Sequence, residues 1–265
     1  MPQLSRILLY PIKSLDGVAV TEAVLLKGGA LQGDLEFAII DQKGRIINGK
    51  RDAKIHRVRS QFDLCKRLIH LNVQGESTAA SFHLDQQRSA LEVWLSDFFG
   101  QPVALIQNLE TGFPEDLDST GPTIVSEATL KTVASWYPSL DFKTIRCRFR
   151  TNLELDAAKP FWEDRLFSEP DCPIPFQIGA VAFRGTNPCQ RCPVPTRNPE
   201  TGEAYEGFQK TFVAKRRETL PDGVIRSRFN HFYRLTVNTR VPASEAGKVL
   251  RIGDSLHISS HPGAA

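Results

Sequence analysis

Asn187-Pro188-Cys189-Gln190-Arg191-Cys192-Pro193-Val194-Pro195-Thr196-Arg197-Asn198-Pro199-Glu200-Thr201-Gly202 decides how the rest of the chain is read. Two cysteines stand three positions apart with Arg191 between them, and four prolines restrict φ around them. Phe176 to Phe183 reads as a strand leading in, and Thr196 to Gly202 ends as a turn. A thiol on a stiff loop beside an arginine suits a soft-metal ligand or a nucleophile. The pair alone leaves three readings open. It is a buried pair of small apolar residues, half of a zinc site, or the source of one thiolate for a metal whose other ligands belong to a cofactor. Zinc wants four ligands, but Cys65, Cys147 and Cys172 stand singly. A thioredoxin-type dithiol wants the pair at a helix start, which Pro193 and Pro195 oppose.

At 265 residues, with 41% hydrophobic and 24% charged residues, the chain has the make-up of an ordinary globular protein. A net charge of +3 is too small to announce nucleic acid as a partner. No run approaches the roughly 18 apolar residues of a membrane span, so no membrane partner is expected. Met1 to Tyr10 lacks a signal-peptide pattern. Five cysteines without framework spacing fit a reducing compartment, so the expected location is cytoplasmic.

Seventeen prolines and eighteen glycines punctuate many short segments, which favours strands. The expected class is mainly β within α+β. Residues 1–110 form a strand-rich first domain of barrel or sandwich type, and residues 111–265 a second, with an acidic linker at Glu110 to Gly121. Strands are expected at 6–10, 18–26, 36–41, 62–73, 81–84, 142–155 and 176–183, with two more between Phe232 and Ile258. Helices are expected at 90–99, capped by Ser89 and Glu92, and from a Ser126 cap to about Trp136. Pro160-Phe161-Trp162-Glu163 marks another helix start.

Basic and hydroxyl residues gather at strand ends and turns. Lys13 and Ser14 follow Pro11, Lys50 and Arg51 follow Asn48-Gly49, and Ser119 and Thr120 precede Gly121. Arg150 and Asn152 would share one side of a strand, and Gln190 and Arg191 lie within the cysteine loop. Lys, Arg, Ser/Thr and a thiolate together suit a phosphorylated cofactor whose metal meets sulfur. Lys54, Arg57, Arg59, Lys215, Arg216 and Arg217 read as solvated surface charge. The six histidines, His261 among them, form no metal-like cluster in sequence. Neither a Walker loop nor a dinucleotide fingerprint is present.

Several motifs resemble those of proteins with a MOSC domain preceded by a MOSC N-terminal β-barrel, and in particular the amidoxime-reducing component and its bacterial relatives. They are Tyr10-Pro11-Ile12-Lys13-Ser14, Gly33-Asp34, Ser126-Glu127-Ala128, Phe149-Arg150-Thr151-Asn152, and Cys189-Gln190-Arg191-Cys192 with Asn198-Pro199-Glu200-Thr201-Gly202. The resemblance implies a β-rich two-part fold holding a molybdenum–pterin cofactor (Mo-molybdopterin) between the parts. It implies that Cys192 is the metal ligand and catalytic residue. Lys13, Ser14, Ser119, Thr120, Arg150, Asn152, Gln190 and Arg191 would hold the pterin and its phosphate. It further implies reduction of small N-hydroxylated substrates, with electrons from a separate flavin or iron–sulfur reductase. The alternative is a non-catalytic carrier of the cofactor or of sulfur. Pyridoxal phosphate is not expected, since no lysine stands out as a Schiff-base former. The chain departs from the family pattern at Leu35, where the family has arginine, and at Asn198, where it has aspartate. Lys50 is the candidate replacement for that arginine.

Overall fold

A computed structural model describes residues 1–259; His261 lies outside them. The first part supplies β1 (Leu4–Leu9), β2 (Val18–Val20), β3 (Glu22–Val24), β4 (Phe37–Asp41), β5 (Val58–Asp63), β6 (Leu68–Val73), β7 (Ala79–His83), α1 (Arg88–Phe99) and β8 (Val103–Gln107). Next come β9 (Gly121–Ser126), α2 (Glu127–Ser135), α3 (Phe142–Phe149), β10 (Leu153–Leu155), β11 (Ile174–Ile178) and β12 (Val181–Gln190). The chain ends with α4 (Phe208–Glu218), β13 (Arg234–Arg240), β14 (Val249–Arg251) and β15 (Leu256–Ile258). The class is mainly β, α+β, as the turn-rich sequence predicts. Among the described residues no helix is long and apolar enough to cross a membrane.

One eight-stranded sheet, in the order β15-β11-β12-β13-β9-β10-β1-β2, forms the larger body. All its pairings are antiparallel except β9 with β10. The first strands therefore belong to this sheet, and β3 pairs with β14. Leu4, Ile7, Leu9 and Leu25 share a core with Phe176, Phe183, Val237 and Leu256. Residues 37–107 build a second core around Phe37, Ile39, Ile69, Leu91 and Leu105, between the β4–β8 ladder, the β5-β6-β7 sheet and α1. These are separate small ladders, not one closed barrel. The chain crosses between the two cores at Pro11, so Lys13 and Ser14 sit where the bodies meet.

Five expectations change. Residues 142–155 are not one strand. Asp141 accepts the Thr144 N–H at 2.7 Å and caps α3, whose buried Ile145, Arg148 and Phe149 follow a helical spacing. The three-residue β10 follows only after Arg150 has taken a left-handed conformation, φ 50°, so Arg150 and Asn152 do not share a strand. The Ser89–Glu92 box does not cap α1. That helix starts at Arg88, and the Glu92 carboxylate is taken by the Leu105 N–H of β8 at 2.7 Å. Pro160-Phe161-Trp162-Glu163 opens only a single 3-10 turn, Trp162–Leu166. Phe176–Phe183 is a hairpin turned at Gly179, and the C-terminal region holds three strands in place of two.

Helix α4 carries no expectation from sequence. It packs Phe208 and Phe212 against Tyr137, Phe149 and Trp136. Its Arg216, read as solvated, is 1% exposed. It pairs with buried Asp164 at 2.5 Å and lies between the Phe161 and Phe229 rings. Burial of that charge is tolerable only because a carboxylate is buried with it.

Candidate functional site

Between the two bodies lies a cavity of about 1230 Å³. Lys13, Ser14, Ser119, Thr120, Arg150, Asn152, Gln190, Arg191 and Cys192 all line it, although they come from four separate parts of the chain. Eleven Lys and Arg against six Asp and Glu line the cavity, whereas the whole chain has 33 against 30. The positive charge of this chain is therefore concentrated in one hollow, as a site for an anion requires.

The cysteine loop owes its shape to arginines as much as to proline. Arg148 donates from Nη1 to the carbonyls of Pro195 (2.9 Å) and Arg197 (2.5 Å). Arg197 donates to Gly202 O at 3.1 Å, Arg59 to Pro199 O at 3.0 Å, and Arg234 to Pro188 O at 2.8 Å. Arg191 is held between Phe149 O (2.7 Å) and the Cys189 sulfur (3.3 Å). Arg59 is thus part of the loop's support, not solvated surface charge. A single 3-10 turn, Val194–Thr196, follows Cys192. Asn198 replaces the expected aspartate without loss of the turn, since its Oδ1 accepts the Glu200 N–H at 2.8 Å.

Cys189 and Cys192 are both free thiols, part-exposed on the cavity wall. That removes the buried-pair reading. Among the described residues no group of three or more His, Cys, Asp or Glu is arranged to hold a metal ion. Both thiols stand on a wall rich in arginines.

Opposite the loop, Asp34 ties the bodies together. It accepts the Tyr10 N–H at 2.7 Å and the Asn152 amide at 3.0 Å. The Asn152 Oδ1 in turn accepts the Thr123 N–H at 3.1 Å. Burial pushes the Asp34 carboxyl up to about 6, against the pull of the Tyr10 and Asn152 hydrogen bonds and the Arg150 charge. Arg150 stacks its guanidinium 4.1 Å from the centre of the Tyr10 ring. Leu35 stands at φ 49° with its N–H on Tyr10 O, and its carbonyl accepts from Phe113. Ser119 shares a hydrogen bond with Thr186 at 2.9 Å, and Thr120 donates to Gly28 O at 2.5 Å.

Sequence reasoning missed His56, Asp16, Cys147 and Glu115, all of which line the cavity. The His56 Nε2 is buried without a partner beneath Gly49. Burial first, then the charges of Arg150, Arg197, Arg148 and Arg59, lower its pKa to about 4, so the ring is neutral near pH 7. No spacing in the sequence ties His56 to the loop; the contact exists only because residues 49–59 pack on residues 194–202.

The MOSC domain signature matches residues 123–256, and that of the MOSC N-terminal beta barrel domain matches residues 1–103. The chain belongs to the MOSC domain family. Among curated proteins this MOSC chain is similar to three named molybdenum cofactor sulfurase. The Drosophila grimshawi protein is 26% identical over 76% of the chain and the Drosophila mojavensis protein 27% over 76%. The Homo sapiens protein is 23% identical over 81%. The matches cover only 28–29% of those proteins' own lengths.

Residues present in the cavity suit a phosphorylated, metal-bearing cofactor. The surplus of cations fits the phosphate, the unpartnered His56 Nε2 and buried Arg191 Nε fit a polar ring system, and the Cys192 thiol fits a soft metal.

Proposed function

We propose that the cavity holds a molybdenum–pterin cofactor with the Cys192 sulfur as its protein ligand, and that the protein reduces N-hydroxylated small molecules with electrons from a separate reductase. One observation carries this reading. Cys192 and the eight other expected residues, scattered over 180 positions of sequence, line a single cationic cavity. The curated relatives' name and the cationic cavity support the cofactor half of the proposal, and the motif resemblance to the amidoxime-reducing component supports the rest.

Lys13 and Arg150 would hold the phosphate, Arg150 pre-oriented by its stack on Tyr10. Ser119, Thr120 and Asn152 would fix the pterin edge from a rigid backbone, because each is already anchored to a neighbouring strand or loop. Arg191 positions the cysteine loop from both sides. His56 would offer a neutral hydrogen-bond group in the cavity wall, and it takes up a proton only well below neutral pH. The cofactor, when bound, supplies the two-electron oxygen chemistry; the protein supplies position and charge.

A second reading has its own support. Two free thiols share the cavity and the similar proteins are named sulfurases, which favours a carrier of the cofactor or of sulfur. Protein made in a cofactor-competent host decides between the two. Its metal is measured by mass spectrometry, its pterin by fluorescence after oxidation, and its turnover with a hydroxylamino substrate and a chemical reductant. The reductase reading expects molybdenum and turnover, both lost in Cys192→Ala. Full loading without turnover favours the carrier, and equal activity in Cys192→Ala overturns the assignment.

A further inference from the structure

Lys13 is 7% exposed, yet carries an ammonium at the cavity wall. Its Nζ donates to Phe113 O at 2.7 Å and pairs with Glu115 Oε1 at 2.8 Å. The Lys50 ammonium closes on the other oxygen of the same carboxylate. Two lysines from separate loops thus grip one carboxylate, one on each oxygen. That is how an anion site is built, with a side chain of the protein as the anion. Burial works against ionisation of Glu115, but hydrogen bonds and charges from Lys13 and Lys50 outweigh it and keep the carboxyl below its ordinary range.

The segment carrying Glu115 is pinned on both sides of it. Phe113 N–H bonds Leu35 O at 2.9 Å, and Asp116 accepts from Asn238 at 3.1 Å. Glu115 itself is 53% exposed at the side chain, so it can leave the lysines for solvent without unfolding the segment. Removing it would strand the Lys13 ammonium, unless another anion took its place.

We propose that Glu115 is a built-in counter-anion, which closes the Lys13–Lys50 site when it is empty and gives it up to a phosphate monoester. The ligand class rests on the cofactor reading above, but the contest for the lysines does not. A phosphate monoester carries more charge and more acceptor oxygens than a carboxylate, so it competes for both lysines. Lys50 then takes over the task of the arginine replaced by Leu35.

Phenyl phosphate binding to the apoprotein, measured by isothermal titration calorimetry, tests this without molybdenum. Glu115→Gln removes the competitor and is expected to tighten binding by at least about fivefold. Adding Lys50→Gln to that variant should abolish the gain. Glu200→Gln makes the same charge change on the cavity wall without touching either lysine, and should stay within about twofold of the parent. Unchanged or weaker binding by Glu115→Gln overturns the proposal, as does an equal gain from Glu200→Gln or a gain that survives Lys50→Gln. Failure of molybdenum loading would count against the cofactor reading and leave this result standing.

Discussion

Replacing Arg148 with methionine would show how far the cysteine loop depends on guanidinium groups for its shape. Arg148 is 3% exposed and holds two loop carbonyls, those of Pro195 and Arg197. A hydrogen bond from a charged donor contributes about 1.5–3 kcal/mol net, so the two together supply roughly 3–6 kcal/mol. Burial of the guanidinium opposes this, and desolvation pulls the Arg148 pKa below its usual value. Methionine removes that penalty and keeps an apolar stem beside the Tyr205 and Phe208 rings that the guanidinium now covers. The expected net loss is about 2–4 kcal/mol. Urea unfolding gives the global number. Hydrogen exchange over residues 190–205 gives the local one, where a loss of about 2 kcal/mol speeds exchange roughly 30-fold. A loss under about 1 kcal/mol with exchange unchanged would refute the view that arginines, in addition to prolines, fix the loop.

Two further outcomes follow from buried geometry. Burial, then the charge of Asp164, pushes the Glu163 carboxyl up to about 7 from an ordinary 4.5. The native state therefore binds this proton more tightly than the unfolded chain, and its contribution is fully present below pH 4.5 and lost as pH rises through 7. Glu163→Gln mimics the protonated acid, so wild type should lose on the order of 3 kcal/mol relative to the variant between pH 5 and 8 in urea titrations; a gain instead would reverse the assignment. Gly202 sits at φ 78° with a Cβ position 2.4 Å from Ala53 O. Gly202→Ala should cost at least about 1–3 kcal/mol and loosen the contact between the 53 and 202 loops, and a thermal midpoint equal to wild type would contradict it.

Much of the site was legible because its signals are local. Cys189-Gln190-Arg191-Cys192, Tyr10-Pro11-Ile12-Lys13-Ser14 and Phe149-Arg150-Thr151-Asn152 each mark a position in the cavity wall. Errors in the secondary structure came where two patterns overlap. Phe142 to Leu155 alternates enough to pass for a strand, but Asp141 caps it as a helix and Arg150 ends that helix in a left-handed turn. Arg216, Arg59 and His56 look like surface residues in sequence. What distinguishes them is something far along the chain: Asp164 for Arg216, Pro199 for Arg59, and for His56 the charges of Arg148, Arg150 and Arg197.

Composition and turn spacing fix by themselves the α+β class, while the short motifs carry the family resemblance and, through it, the expectation that Cys192 is the metal ligand. These are properties of short windows, set by backbone restriction and side-chain type. Tertiary structure alone decided that eleven cations face one hollow, that both thiols stay free, and that Lys13 and Lys50 share Glu115. Electrostatics acts through distance in space, and no distance between residues 13, 50 and 115 is written in their order along the chain.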